Sequence, residues 1–579
     1  MTSGNGRPRT GPASGFLSIY EHYAKRLLTV KEAVSISFSS TIMILLIGIL
    51  TLLTVYEYWF RNLRYVKMGN KIPGPRAFPI VGNAHIAIGN SPGEMMRVAL
   101  DIYSNLKSDV VRVWLGPKLI VALTSPNDIE VILGSNVHLE KSREYDLFEP
   151  WLGQGLLISK GEKWRTHRKM IAPTFHSSIL KSFIPVFNKN ANNLLENLKK
   201  EEGKVFDCHD YMSGTTVDTL LETAMGVQKT NEDNTGFEYA MAVMKMCNIL
   251  HLRHYKFWLR PDFIFRFTSM WSEQNYLLNV IHSLTRQVIR RKKDNYYTRQ
   301  SQGEQSLYKK ALSTSTFNEK DGHIQETSSF NYIRDDLDEN EESDIGEKKR
   351  LAFLDYMIEA SHTKGNSLTD DEIKEEVDTI MFEGHDTTAA ASSFVLSLLG
   401  VHQDIQDKVF EELKEIFQGD LQRPVTFNDT VQMKYLERVI LETLRMYPPV
   451  PIIARLLNED VKLPTQDYVI PAGTTVIIGT FSLHRNPKYY ENPLKFDPDN
   501  FLPEKCQNRP YYAYIPFSAG PRSCVGRKYA MLKLKVILAT VLRKYKTISE
   551  KKEEDFKLQA DIILKREDGF NIRIVERKL

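Results

Sequence analysis

Near the end of the chain, Phe517-Ser-Ala-Gly520-Pro-Arg522-Ser-Cys524-Val-Gly526 sets one cysteine between two glycines, with an arginine and an aromatic close by. A thiolate binds metals and attacks electrophiles, but it persists only where N–H donors or positive charge stabilise it. Arg522 supplies such charge two residues before the sulfur. The run that follows, Arg527-Lys-Tyr-Ala-Met-Leu-Lys-Leu-Lys-Val-Ile-Leu-Ala, reads as a helix, which places Cys524 near a helix N-terminus and its positive dipole end. Gly520 and Gly526 lack the Cβ that would keep a large planar cofactor from the sulfur. A lone cysteine between glycines otherwise reads as a tight turn around a buried thiol. Five matching positions within ten residues reverse that reading.

The segment resembles the haem-binding signature of the cytochromes P450, Phe-x-x-Gly-x-Arg-x-Cys-x-Gly, with every fixed position filled. The resemblance implies a mainly α fold with a minor β part and haem between a long central helix and the cysteine-bearing loop. It makes Cys524 the axial iron ligand of haem b (iron protoporphyrin IX), with Phe517, Gly520, Arg522 and Gly526 around the cofactor. Thiolate ligation favours O–O cleavage, so the chemistry implied is oxygen activation by a monooxygenase.

Thr369-Asp-Asp-Glu372 has the pattern of a capping box and predicts the start of a long helix. Inside it lies Glu383-Gly384-His385-Asp386-Thr387-Thr388. Glycine inside a helix costs about 1 kcal/mol relative to alanine, so Gly384 calls for a reason: the close approach of a ligand, or of another helix. The hexapeptide resembles the family's oxygen-activating segment, with Asp386 and Thr387 at the acid–alcohol positions that relay protons. Glu383 stands where most of the superfamily has Ala or Gly. In family 4 a glutamate in this setting commonly forms an ester with a haem methyl, and the resemblance extends that to Glu383; a carboxylate hydrogen-bonded within the pocket is the alternative.

Glu442-x-x-Arg445, followed by a helix-stopping proline run, is an i,i+3 pair that on an exposed helix contributes only a few tenths of a kcal/mol. Its order relative to Cys524 matches the family's buried Glu-x-x-Arg, a structural rather than catalytic pair. The family's third partner is normally an arginine, and Asn500 occupies that position, leaving the partner open. Haem propionates need cations or strong donors. Trp164, Arg168, Arg455 and Arg522 match family propionate contacts by position, whereas His167 and His484 read as hydrogen-bonding or surface histidines. Arg165, Lys169, Arg527, Lys528, Lys533 and Lys535 form a basic set on the thiolate side, suited to steering an acidic reductase or simply to solvation.

These motifs must be positioned by a chain of 579 residues, long enough for one large domain with appendages. A formal charge of +4 gives no footprint for nucleic acid. Four cysteines without paired or CxxC spacing argue against a disulfide framework or zinc site and suit a reducing compartment. Residues 1–32 read as a polar tail. Residues 33–56 carry no charge and, at about 36 Å as a helix, are long enough to cross a bilayer. A retained single transmembrane anchor follows, with basic residues on both flanks and hence no orientation from charge. Residues 57–82 contain Ile72-Pro-Gly-Pro75 and resemble the proline-rich hinge of microsomal members. The monooxygenase domain would then be 83–579, with strands near Val110–Trp114 and Leu119–Leu123. Residues 296–349, polar and acidic, read as a disordered insertion within it.

Tyr56-Glu-Tyr-Trp, Phe206-Asp-Cys-His-Asp-Tyr-Met-Ser and Met381-Phe-Glu-Gly-His-Asp-Thr-Thr, with the acidic insertion, resemble the insect subfamily-G branch of family 4. That branch implies oxidative decarbonylation of long-chain aldehydes to cuticular hydrocarbons. The electrons would come from NADPH through NADPH–cytochrome P450 reductase, at the endoplasmic reticulum membrane with a cytosolic catalytic domain. The alternatives are ω-hydroxylation of fatty acids, xenobiotic oxidation, and a haem carrier or sensor without turnover, which Asp386 and Thr387 argue against.

Overall fold

The computed structural model describes residues 13–227, 235–302, 351–362 and 368–578. The acidic insertion lies outside the described residues from 303 onward. Its first expected residues are helical instead: the helix Ser269–Ser301 carries the chain past Tyr296.

The N-terminal unit is dominated by one helix, Ala13–Asn62. The expected polar tail is therefore helical from Ala13, and the helix passes the expected end of the anchor at Tyr56. Within it Ser40–Asn62 is apolar and long enough to cross a membrane, and none of its residues is buried. Glu57 and Arg61 pair at 2.6 Å across one helical turn, so charge enters without breaking the helix. A second helix, Arg64–Gly69, follows, and the proline-rich segment begins only at Pro73.

The main unit is helical with a small mixed sheet. Its axis is the central helix, Asp370–Val401, begun by Thr369, whose hydroxyl accepts the Glu372 amide while the Glu372 carboxylate accepts the Thr369 amide. The helix is buried on nearly every face, as expected of an element in the middle of a large core. The helices Cys208–Glu222, Thr235–Tyr255, Ser269–Ser301 and Lys434–Met446 pack against it, as does Arg527–Lys544, the helix that follows the cysteine loop.

Four strands form the sheet in the order Val110–Leu115, Lys118–Leu123, Thr475–Ile478, Ile453–Leu456. The middle pair is parallel and the outer pairs antiparallel. This register sets Arg455 opposite Val476, and an isolated bridge joins Arg455 to Lys141. A C-terminal hairpin, Leu558–Asp561 with Ile563–Arg566, lies against the central helix.

Candidate active site

The loop before Arg527 holds Cys524 three residues ahead of its helix, as the sequence predicts. The Cys524 amide donates to the Phe517 carbonyl at 2.9 Å and the Ser523 amide to Gly520 at 2.8 Å, which closes the loop on itself. Arg522, Ser523 and Val525 are buried, while Cys524 is exposed. The two glycines divide the labour differently from expectation. At Gly520, with φ of +69°, a Cβ would lie 2.0 Å from the Leu133 carbonyl, so this glycine permits packing against the helix Pro126–Leu133 rather than a cofactor's approach. At Gly526 the nearest atom is the Cys524 Sγ at 4.0 Å, so the space beside the sulfur is open.

Four cations converge near this loop. Arg168, on the helix Gly161–Ile171, donates to the Ser523 carbonyl at 2.6 Å and its hydroxyl at 3.2 Å. Arg522 donates to the Leu156 carbonyl at 3.3 Å and stacks 4.3 Å from the centre of the buried Trp164 ring. Arg455 and Lys141 are brought in by the sheet edge. Burial, then Arg455 and Arg168, lower the Arg522 guanidinium to about 9. Burial lowers Arg455 as well. Burial pushes Lys141 well below the usual amine range, with Arg455, Arg522 and Arg168 adding to it. Sequence reasoning missed Lys141, which carries no motif and is found only through its bridge to Arg455.

Such crowding of buried positive charge is costly unless an anion joins it. Arg455 Nη2 and Arg522 Nε are buried without a hydrogen-bond partner. Glu383 is a carboxylate that acts on Lys141, and burial, with Glu376 adding to it, raises Glu383 itself to about 7 against the opposing pull of Lys141 and Arg168. The donor set thus fits a dianionic group placed beside an exposed thiol, which is the chemistry of a haem with two propionates.

On the central helix, Glu383 and Thr387 are partly exposed one turn apart, whereas His385 and Asp386 are fully buried, Asp386 on the adjoining face and His385 on the far side. The Thr387 hydroxyl donates to the Glu383 carbonyl at 2.6 Å. Burial pushes the Asp386 carboxyl up, and Lys565 of the C-terminal hairpin, 2.7 Å away, together with His385 and His209, more than reverses this and holds it below the usual range. The expected acid and alcohol therefore sit on adjoining faces, the acid ion-paired and the alcohol nearer open space. At Gly384 a Cβ would meet Leu220 at 3.1 Å, so the packing reason for that glycine holds.

Behind the loop, Arg445 donates to Glu442 through Nε at 2.6 Å and Nη2 at 2.8 Å, both residues fully buried. Arg445 also donates to the carbonyls of His484, Pro493 and Lys495. The open third position is filled: Asn500 Nδ2 donates to Glu442 at 3.1 Å, and the Asp497 amide does so at 2.7 Å. His167 pairs with Glu376 at 2.6 Å, and His484 accepts the Ile515 amide, as hydrogen-bonding histidines. The expected basic face is smaller than the sequence suggests. Arg165 and Lys169 are exposed, but Arg527, Lys533 and Lys535 are buried, Lys535 in an ion pair with Glu437 at 2.9 Å.

A mainly helical fold, with a cysteine loop leading into a helix that packs against the central helix and a buried cation cluster beside the thiol, defines a haem–thiolate monooxygenase. The family model for cytochrome P450 matches residues 72–573. The chain is 54% identical over 556 residues to cytochrome P450 4g15 of Drosophila melanogaster, covering 91% of this chain and 96% of that protein. It is 51% identical to cytochrome P450 4g1 of the same organism (92% and 94% covered) and 36% identical to human cytochrome P450 4V2 (87% and 89%). The chain belongs to the cytochrome P450 family, within family 4, and its cofactor is haem iron.

Proposed function

We propose that this monooxygenase oxidatively decarbonylates long-chain fatty aldehydes to hydrocarbons. The balance is aldehyde, O2, two electrons and two protons in, and hydrocarbon one carbon shorter, CO2 and water out. NADPH supplies the electrons through its flavoprotein reductase, at an endoplasmic reticulum membrane reached by the Ser40–Asn62 helix, with the catalytic domain in the cytosol. The observation that carries this reading is graded similarity: 54% and 51% identity to the two 4g proteins, against 40% to cytochrome P450 4c3. It agrees with the resemblance of the anchor end and the oxygen-side segment to the subfamily-G branch.

Each residue has a role in this reading. Cys524 ligates the iron, with Gly526 leaving room beside the sulfur and Phe517 and Gly520 shaping the loop. Trp164, Arg168, Arg455, Arg522 and Lys141 hold the propionates, the arginines by charge-assisted bonds and Trp164 by seating Arg522. Glu383, whose pKa is raised to about 7, would be the carboxyl joined to a haem methyl as an ester, a bond whose formation removes two electrons and two protons from the pair and for which O2 with NADPH-derived electrons would supply the oxidant. Bound haem iron supplies the oxidising power. Asp386 and Thr387 deliver protons from the buried to the open side of the central helix. The Glu442–Arg445–Asn500 set keeps the loop's support rigid.

The test is full-length enzyme reconstituted with reductase and given octadecanal. Heptadecane and CO2 are expected. Terminal hydroxylation or carboxylic acid as the only products would reject decarbonylation in favour of ω-oxidation. Cys524→Ser is expected to lose the thiolate-type band of the reduced carbon monoxide complex along with the product.

A further inference from the structure

Lys533 lies nine residues after Cys524 on the helix Arg527–Lys544 and is fully buried, against the expectation that it faces solvent. Its ammonium donates to the Gly384 carbonyl at 2.8 Å and sits 5.0 Å from the centre of the Tyr529 ring. The same carbonyl accepts the Thr388 hydroxyl at 3.1 Å. Lys533 is thus a direct brace from the helix behind the cysteine loop to the backbone between Glu383 and Thr387.

Lys533 sits among groups that supply no compensating charge for it. Among the described residues, no carboxylate pairs with it. Of the acids on the elements packed against its helix, Glu383 is drawn by Lys141 and Arg168, Asp386 pairs with Lys565, Glu376 with His167, Asp378 with Lys374, Glu437 with Lys535, Glu442 with Arg445 and Asp429 with Arg423, and Glu412 accepts the amides of Tyr435 and Leu436. The titratable group it acts on is His385, whose Nε2 bonds Ser213 and which burial lowers to about 4, hence neutral. On its own helix the Tyr529 hydroxyl is tied to Thr223 at 2.8 Å. Without a counter-ion the ammonium is penalised by burial, and the Lys533 pKa falls to about 7. The cation holds the carbonyl by a charge-assisted bond, and the neutral amine holds it more weakly.

We propose that Lys533 is a positioning residue for the oxygen-facing turn of the central helix, its buried ammonium fixing the Gly384 carbonyl so that proton delivery through Asp386 and Thr387 stays coupled to substrate oxidation. When that turn loosens, NADPH, H+ and O2 yield NADP+ and H2O2 instead of oxidised product. The inference rests on the placement of Glu383–Thr388 beside the reacting oxygen.

The test uses full-length enzyme with reductase, read two ways between pH 6 and 9: product and H2O2 formed per NADPH, and deuterium uptake by the peptide spanning Gly384–Thr388. In the wild type, coupling is highest below neutrality and falls as the amine loses its proton through about pH 7, with uptake rising over the same interval. Lys533→Met gives low coupling and high uptake that no longer change with pH, about 10-fold below the wild type in coupling at pH 6, the size of one lost bond to a charged donor, with the gap narrowing toward pH 9. Lys533→Arg, a permanent cation, keeps both readouts flat to pH 9. A wild type with no change in either readout across this range overturns the proposal, as does Lys533→Met with wild-type values. If Lys533→Met does not bind haem, the wild-type and Lys533→Arg profiles decide. Thr387→Ala separates the premise: if it leaves coupling intact, the placement of the turn fails and takes this inference with it; if it uncouples while Lys533→Met does not, only the role of Lys533 fails.

Discussion

Glu383 and Asp386 stand three residues apart on one helix and end in opposite electrostatic states. Both are carboxyls removed from bulk water, which by itself favours the neutral form. Asp386 meets the Lys565 ammonium at 2.7 Å and stays ionised, whereas Glu383 feels Lys141 and Arg168 less strongly than burial and rises to about 7. Two acids with separated proton affinities on one helix suit different tasks: one holds charge at rest, the other can take up or release a proton near pH 7 beside the cation cluster. The ester proposed at Glu383 has a direct check. Acid denaturation followed by organic extraction should leave haem with the wild-type protein and release it from Glu383→Ala. Free release from the wild type would remove the ester and leave a hydrogen-bonded carboxyl.

At the scale of elements, the helix Lys434–Met446 owes its importance to what its ends and faces are clamped to. Glu442 and Arg445 read from sequence as a weak surface pair or a family lock, and full burial decides for the lock. Arg445 reaches three backbone carbonyls on the segment 484–495, so one side chain ties the helix to a stretch with little regular structure. Arg445→Met should cost about 3–5 kcal/mol, because it leaves the Glu442 carboxylate buried without its cation. Asn500→Ala should cost about 1–3 kcal/mol through one lost donor to that carboxylate. Chemical denaturation of purified protein measures both, and equal costs for the two variants would contradict the division of roles. The pair Lys535–Glu437 repeats the device between this helix and Arg527–Lys544.

For the whole molecule, the informative correction concerns charge. Six basic positions were expected on the thiolate side, and burial of Arg527, Lys533 and Lys535 takes half of them away from any partner. Arg165 and Lys169 stay exposed on the helix whose Arg168 holds the Ser523 carbonyl. With the partly exposed Lys528, these two are the expected positions left to meet the proposed acidic reductase. Arg165→Glu with Lys169→Glu should slow reductase-dependent reduction about 10-fold at low ionic strength, and salt should erase most of the difference. Stopped-flow reduction across a salt series checks this, and a salt-independent rate equal to wild type would rule the patch out.

The cysteine loop, the capped start of the central helix, the Glu442–Arg445 pair and the strands at 110 and 119 were legible in the sequence, because each is written in residues a few positions apart. Local spacing fixes helix caps, ion pairs along one helix and tight loops through short-range geometry. The tertiary structure alone decided which charges are buried and what they meet: Lys141 at the bridge to Arg455, Lys565 on Asp386, Lys533 on Gly384, Asn500 on Glu442, and Gly520 serving a neighbouring carbonyl rather than a cofactor. Those partners lie tens to hundreds of residues apart in the chain, and the cost of removing a charge from water depends on everything packed around it.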